Sequence, residues 1–180
     1  MYEALGISNS NQDFEKSKTI VNSIMKIQPD ETKKILMIGE LGEITRQQCF
    51  IEKNKNNLSK SQSLAQEAMK HFIKYQKAIE HIPVSKIGTL KQKYLIYASM
   101  AGGIARHELN DPKTAVLFYD TALEMINDEP NLPNGNFSVG LGYNKAHFLF
   151  SKAEALIEME NYEEAELVMD KYGKNIIRNF

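Results

Sequence analysis

The chain has 180 residues, of which 42% are hydrophobic and 25% charged, as in a soluble globular protein with one domain or one repeat array. No apolar run approaches the roughly 20 residues that span a bilayer, and residues 1–5 lack the basic start and apolar core of a signal peptide. A cytoplasmic protein without a membrane partner is therefore expected, and the single cysteine, Cys49, agrees because it allows no disulfide within the chain.

Charge is unevenly distributed along the sequence. Nine lysines and two glutamates lie between Lys53 and Lys93, a net charge of +7, whereas thirteen acids and three lysines lie between Glu108 and Asp170, a net charge of −10. The chain has 19 lysines and only 3 arginines, and proteins that read nucleic acids usually rely on arginine, so no nucleic-acid partner is expected. The basic segment is either a solvated helix face or a patch for an acidic partner, which includes the acidic half of a second copy.

Helical periodicity runs along nearly the whole chain and predicts an all-α fold. The clearest stripe of apolar residues steps by three or four along one predicted helix: Leu64, Ala68, Phe72, Tyr75, Ile79 and Ile82. Lysines occupy the other faces of that helix. Pro83 ends it, because proline disfavours a helical conformation in the residue before it.

We predict eight helices in four pairs. In chain order they are a short helix near residues 2–7 and Asp13–Ile27, Glu31 to about Lys53 and Ser61–His81, Ile87–Leu109 and Pro112–Ile126, and Gly142–Met159 and Tyr162 to about Ile177. The pairs form a single domain over 1–180, with approximate bounds 1–29, 31–82, 87–127 and 142–178. Residues 127–141 contain two prolines and two glycines, which predicts an ordered loop that is either a tolerated insertion or functional.

Two segments repeat a common pattern. In each segment a small residue is followed by an alanine twelve positions later, by a bulky residue four positions after that alanine, and by one more packing residue three positions further on. These residues are Gly103, Ala115, Tyr119 and Ala122 in the third pair, and Ala153, Ala165, Met169 and Tyr172 in the fourth. A helix–turn–helix unit that is used more than once is typical of a scaffold. We expect Gly103 and Ala115 to let paired helices approach closely, and Tyr119 to fill the gap to the neighbouring pair.

These units resemble the tetratricopeptide repeat (TPR). The second pair adds Leu41-Gly42 with Ala68 and Phe72, and the first adds Tyr2, Leu5-Gly6, Ile24 and Pro29. The resemblance covers the chain but departs in the overlong second pair, in Ala153 instead of glycine, and in the fifty residues between Ala115 and Ala165. It implies a right-handed solenoid of antiparallel helix pairs, with the first helices lining a concave groove. The chain either begins the array at Met1 or is part of a longer protein.

The irregular helix lengths are similar to the repeat domains of bacterial peptide-pheromone receptors and phosphorelay regulators, which hold signalling peptides in that groove. The resemblance also implies which side chains face the groove: Tyr97, Met100, Ile104, His107 and Glu108 from the third pair, His147, Phe150, Glu154, Ile157 and Glu158 from the fourth, and Glu43, Arg46 and Gln47 from the second. Aromatic, methionine and charged side chains together suit an extended peptide. Tyr97, Met100 and Phe150 are equally consistent with ordinary interhelix core.

No motif for catalysis, metal or cofactor binding is present in the sequence. His71 and His81 are ten residues apart and the other two histidines are isolated, whereas two ligands on one helix face need a spacing of three or four. We therefore predict no enzyme activity, no metal and no cofactor.

The predicted function is non-catalytic recognition of a protein or peptide in the concave groove. Two alternatives remain. One is a self-associating scaffold, such as a homodimer, in which the basic segment of one chain meets the acidic half of another. The other is a signalling regulator whose long second-pair helices bind a peptide or a protein such as a response regulator.

Overall fold

The computed structural model describes residues 13–80, 88–128 and 145–177, and these residues are helical, with no strand among them. Seven helices are present in the described part of the chain: α1 (Phe14–Ile27), α2 (Glu31–Asn54), α3 (Leu58–Ile79), α4 (Gly88–His107), α5 (Pro112–Asp128), α6 (Lys145–Glu158) and α7 (Tyr162–Ile177). The all-α prediction is confirmed for these residues. The short helix predicted near residues 2–7 and most of the predicted 127–141 loop lie outside them.

Helix boundaries follow local signals in the sequence. Asp13 caps α1 by accepting a hydrogen bond from the Lys16 amide, and Asp30 caps α2 by accepting from the Thr32 amide at 2.9 Å. Asp111, which precedes Pro112, accepts a hydrogen bond from the Thr114 amide at 3.0 Å, as the sequence predicts for the start of α5. The helix predicted to begin at Ser61 begins instead at Leu58, because the preceding turn closes within residues 55–57.

The same kind of turn ends α2, α4 and α6. Asn56, Asn110 and Glu160 adopt left-handed backbone conformations, with φ angles of 61°, 52° and 59°. One left-handed residue after a helix turns the chain back while its neighbours satisfy the last carbonyls of the helix. The same type of turn therefore connects the two helices within the second, the third and the fourth predicted pair.

The chain forms two compact units, which divide between Tyr97 and Ala98 inside α4. In the unit before this boundary, α1 packs on α2 around a core of Phe14, Val21, Ile24, Met37, Leu41 and Ile44. Helices α2 and α3 pack closely because Gly42 has no side chain, and a Cβ at this position would meet the Phe72 ring 2.6 Å away. The five described residues of the predicted apolar stripe on α3 are buried, while Lys70, Lys74 and Lys77 on its other side are exposed.

The unit after the boundary contains the end of α4 and helices α5, α6 and α7. Gly102 of α4 lies against the Tyr119 ring of α5, where a Cβ would overlap the ring. Gly103 was the residue expected to permit this approach, and that prediction is wrong, because a Cβ at Gly103 would have no atom within 4 Å. Ala115, Tyr119 and Ala122 are buried as their place in the repeat requires.

Helices α4 and α6 run parallel within this second unit. Ser99 bonds to His147 near the start of the contact, and Arg106 bonds to Glu154 and Glu158 near its end, so residue numbers rise together along both helices. No helix in the described part of the chain is both long and apolar enough to cross a membrane.

Candidate functional site

The predicted groove residues fall on α2, on α4 and the turn after it, and on α6, but two of them are core residues. Tyr97 is 3% exposed and Ile104 is 1% exposed. Tyr97 stacks edge-on against Tyr75 with 4.9 Å between ring centroids, and its hydroxyl donates to Glu40 at 3.1 Å. Burial, together with the charge of Glu40, raises the pKa of the Tyr97 phenol far above its ordinary value. These two side chains therefore pack the interior instead of offering surface to a ligand.

A polar surface lies along α2 in the first unit, and we call it the α2 face: Glu40, Glu43, Arg46, Gln47 and Phe50. The Glu43 carboxylate accepts two hydrogen bonds from Arg46, at 2.6 and 2.9 Å, and one from Gln47 at 2.8 Å. The Arg46 guanidinium lies 5.1 Å from the centroid of the Phe50 ring, which is 38% exposed. The three residues predicted from the sequence thus come together as one fixed cluster beside an exposed aromatic ring.

A second surface lies along α6 in the second unit, and we call it the α6 face: His147, Phe150, Glu154 and Ile157. These residues are spaced by three or four and therefore share one side of the helix. Phe150 is 43% exposed and Ile157 is 50% exposed. Since His147, Phe150, Glu154 and Ile157 were all predicted site residues, the structure brings the fourth-pair set together on one side of α6.

Arg106 of α4 fixes the charges at the end of the α6 face. Its guanidinium donates to Glu158 at 2.7 Å and to Glu154 at 2.9 Å, and only 7% of its side chain is exposed. Burial alone would lower the pKa of Arg106, but the bonds to both carboxylates leave it above its ordinary value. The hydrogen bonds from Arg106 also lower the pKa of Glu158. Arg106 therefore holds both carboxylates in place, and it favours the ionised form of Glu158.

His147 lies at the N-terminal end of the α6 face. Its Nε2 atom lies 2.9 Å from the Ser99 hydroxyl of α4, and its ring contacts Phe148 edge-on. Burial lowers the pKa of His147, and the nearby negative charge of Glu154 opposes that shift. The imidazole is therefore mainly neutral at physiological pH.

The remaining residues predicted from the third pair differ in exposure. His107 is exposed, whereas Met100 and Glu108, which lies in the turn after α4, are half-buried. The open surface at Gly103 lies one turn after Met100 and one turn before His107, so these three positions share one side of α4. This side of α4 therefore has no side chain at its centre.

An open cleft of about 350 Å³ lies among α5, α6 and α7. Buried Leu123, Leu149 and Val168 form its floor, and Lys152 bridges its walls with ion pairs to Asp120 at 2.8 Å and to Glu164 at 3.0 Å. Because the ammonium group of Lys152 is engaged in these ion pairs, we interpret the cleft as a contact that joins three helices and not as a binding site.

The single cysteine of the chain lies in the interior of the first unit. Cys49 is fully buried, with its sulfur 3.3 Å from the Ser61 hydroxyl. Among the described residues, no group of three or more histidine, cysteine, aspartate or glutamate side chains is placed to hold a metal ion.

The sequence did not single out Arg106, Ser99, Glu40 or Phe50 as site residues. Phe50 follows Arg46 by four positions on α2, and this spacing places an aromatic ring under a guanidinium. Arg106 pairs with residues about fifty positions away, and no local pattern reveals such a partner. The structure thus adds the residues that hold the predicted ones in place.

No protein-family profile matches the sequence, and no curated protein shows significant similarity to it.

Proposed function

We propose that this chain is a non-catalytic, cytoplasmic recognition protein built as a solenoid of divergent TPR-like repeats, and that it binds an extended peptide segment on the α6 face. The observation that carries this proposal is the pair of exposed apolar side chains, Phe150 and Ile157, between fixed polar groups on one side of α6. Peptide sites combine apolar anchors with a few polar groups that set orientation.

The repeat architecture supports this proposal. A left-handed turn joins the two helices of the second, third and fourth pairs, and α4 and α6 run in parallel, as first helices of successive repeats would. Gly42 and Gly102 permit close approach of the two helices within their pairs. The TPR resemblance then implies that first helices line the binding surface, and α6 is the first helix of the fourth pair.

The negative charges at the α6 face predict which peptides it prefers. Glu154 and Glu158 are both about 40% exposed although they are bonded to Arg106, so each carboxylate keeps surface for a ligand. Glu154 lies between the two apolar anchors along the helix. We therefore expect bound peptides to place apolar side chains on Phe150 and Ile157 and a donor or cation near Glu154.

The test uses the full chain and a phage-displayed library of random peptides, followed by fluorescence anisotropy with the selected peptides. Replacing both anchors, Phe150→Ser with Ile157→Ser, should weaken binding at least about tenfold, because about 1.4 kcal/mol of apolar contact corresponds to that factor. The matched control is Leu117→Ser on α5, which removes an exposed apolar side chain (60%) elsewhere in the same unit. Selected peptides that bind the double variant as tightly as wild type would place the site elsewhere.

A further inference from the structure

A row of positively charged side chains lies along α3. Lys70, Lys74 and Lys77 are exposed, and no carboxylate of the described residues lies within 4.0 Å of their ammonium groups. Their positions i, i+4 and i+7 fall within an arc of about 60° on the helix. Like charges at this spacing repel one another and destabilise the helix. We call this surface the α3 lysine face.

A matching row of negative charge lies on α7. Glu163, Glu166 and Asp170 are exposed, and no ammonium or guanidinium of the described residues pairs with them. Their positions i, i+3 and i+7 also fall within an arc of about 60°, and both rows extend about 10.5 Å along their helix axes. Leu167 lies beside these acids and is 63% exposed. We call this surface the α7 acid face.

We propose that the α3 lysine face binds the α7 acid face of a second copy of this chain. Charge complementarity on two scales supports this contact. Locally, two rows of three opposite charges have the same length and angular width. Across the chain, residues 1–97 carry fifteen basic and ten acidic side chains, a net charge of +5, whereas residues 98–180 carry seven basic and thirteen acidic ones, a net charge of −6.

The contact stabilises a weak, reversible complex. An exposed ion pair contributes little on its own and is screened by salt. The aliphatic stems of the lysines cover Leu167 and add apolar burial. Relief of the repulsion within each row adds to the gain. A second copy is favoured over other acidic partners because every copy supplies a matching face at the concentration of the protein itself.

The experiment is sedimentation equilibrium of the full chain at low and high ionic strength, about 0.02 M and about 0.5 M. We expect wild type to show a weight-average mass above that of the monomer at low salt and the monomer mass at high salt. Two charge-reversed variants, Lys70→Glu/Lys74→Glu/Lys77→Glu and Glu163→Lys/Glu166→Lys/Asp170→Lys, should each be monomeric in both conditions. An equimolar mixture of the two should associate again, because each face then meets an opposite one.

A third variant guards against loss of folding. A chain with all six reversals keeps the net charge of wild type and should regain association at low salt, with unchanged helicity by circular dichroism. A monomeric wild type at both ionic strengths, or variants that associate as wild type does, would overturn the proposal. If wild type stays monomeric but shifts a single-stranded oligonucleotide, the lysine face serves nucleic acid and not a second copy. The Phe150→Ser/Ile157→Ser chain should associate like wild type, so failure of peptide binding and failure of self-association are separable.

Discussion

Gly102 and Gly103 are neighbours in α4 with opposite surroundings, so alanine should have opposite effects at the two positions. A methyl group at Gly102 overlaps the Tyr119 ring, and such overpacking costs roughly 1–3 kcal/mol. A methyl group at Gly103 meets nothing within 4 Å, and alanine inside a helix is more stable than glycine by roughly 0.5–1 kcal/mol. Urea unfolding should therefore show Gly102→Ala below wild type and Gly103→Ala above it. A loss of stability in both variants would contradict the packing described around Gly103.

His147 makes the stability of the second unit depend on pH. Because burial holds its pKa below the ordinary 6.5, protonation favours the unfolded chain, where the imidazole is solvated. The free energy of unfolding is therefore highest above 6.5 and falls as the pH drops through the pKa of the folded state. His147→Gln should flatten this dependence between about pH 7.5 and about pH 5, measured by thermal melting.

A second partly buried histidine, His71 in the first unit, contributes to the same pH dependence. Burial also lowers the pKa of His71, so part of the slope should remain in the His147 variant. An unchanged profile in His147→Gln would show that the ring is not desolvated as described.

At the scale of the helices, Lys152 joins α5, α6 and α7 through a single ammonium group. Burial lowers its pKa, but its bonds to Asp120 and Glu164 outweigh burial and leave the pKa above the ordinary value. Its side chain is 13% exposed, whereas the two carboxylates are 40% and 45% exposed and can regain water. Lys152→Met keeps most of the buried stem and should cost roughly 1 kcal/mol of unfolding free energy. The exposed Lys113→Met on α5 should cost almost nothing in the same denaturant titration.

Helix positions were readily predicted because their signals are local. Capping aspartates, prolines and apolar stripes act within one or two turns, and α7 begins at Tyr162 as its preceding polar break indicates. The start of α3 was misplaced by three residues because Leu58, 64% exposed, lies outside the apolar stripe.

The candidate site was predicted less completely, since exposure depends on distant neighbours. Tyr97 and Phe150 are both aromatic residues that the sequence predicts for the groove. The Tyr97 ring is buried because it packs against Gly39, which has no side chain, whereas Phe150 is exposed. The prediction of Gly103 instead of Gly102 as the packing residue was wrong for the same reason, because the position of the Tyr119 ring decides which glycine it contacts. A repeat pattern predicts which residues are small, and the structure determines which of them touch a neighbour.

At the scale of the whole molecule, the division inside α4 predicts that the two units lose structure separately. Proteins open locally in contiguous cooperative units, so a defect within one unit need not spread along the chain. Gly102→Ala weakens packing after the division, and Gly42→Ala, where a Cβ would lie 2.6 Å from the Phe72 ring, weakens packing before it. Native-state hydrogen exchange should therefore show faster exchange in α5, α6 and α7 for the first variant, and in α2 and α3 for the second. Since α4 belongs to both units, its amides should be affected in part by either change. Equal loss of protection in α2 and α6 in either variant would instead mean that the chain unfolds as one cooperative domain, as the sequence alone suggests.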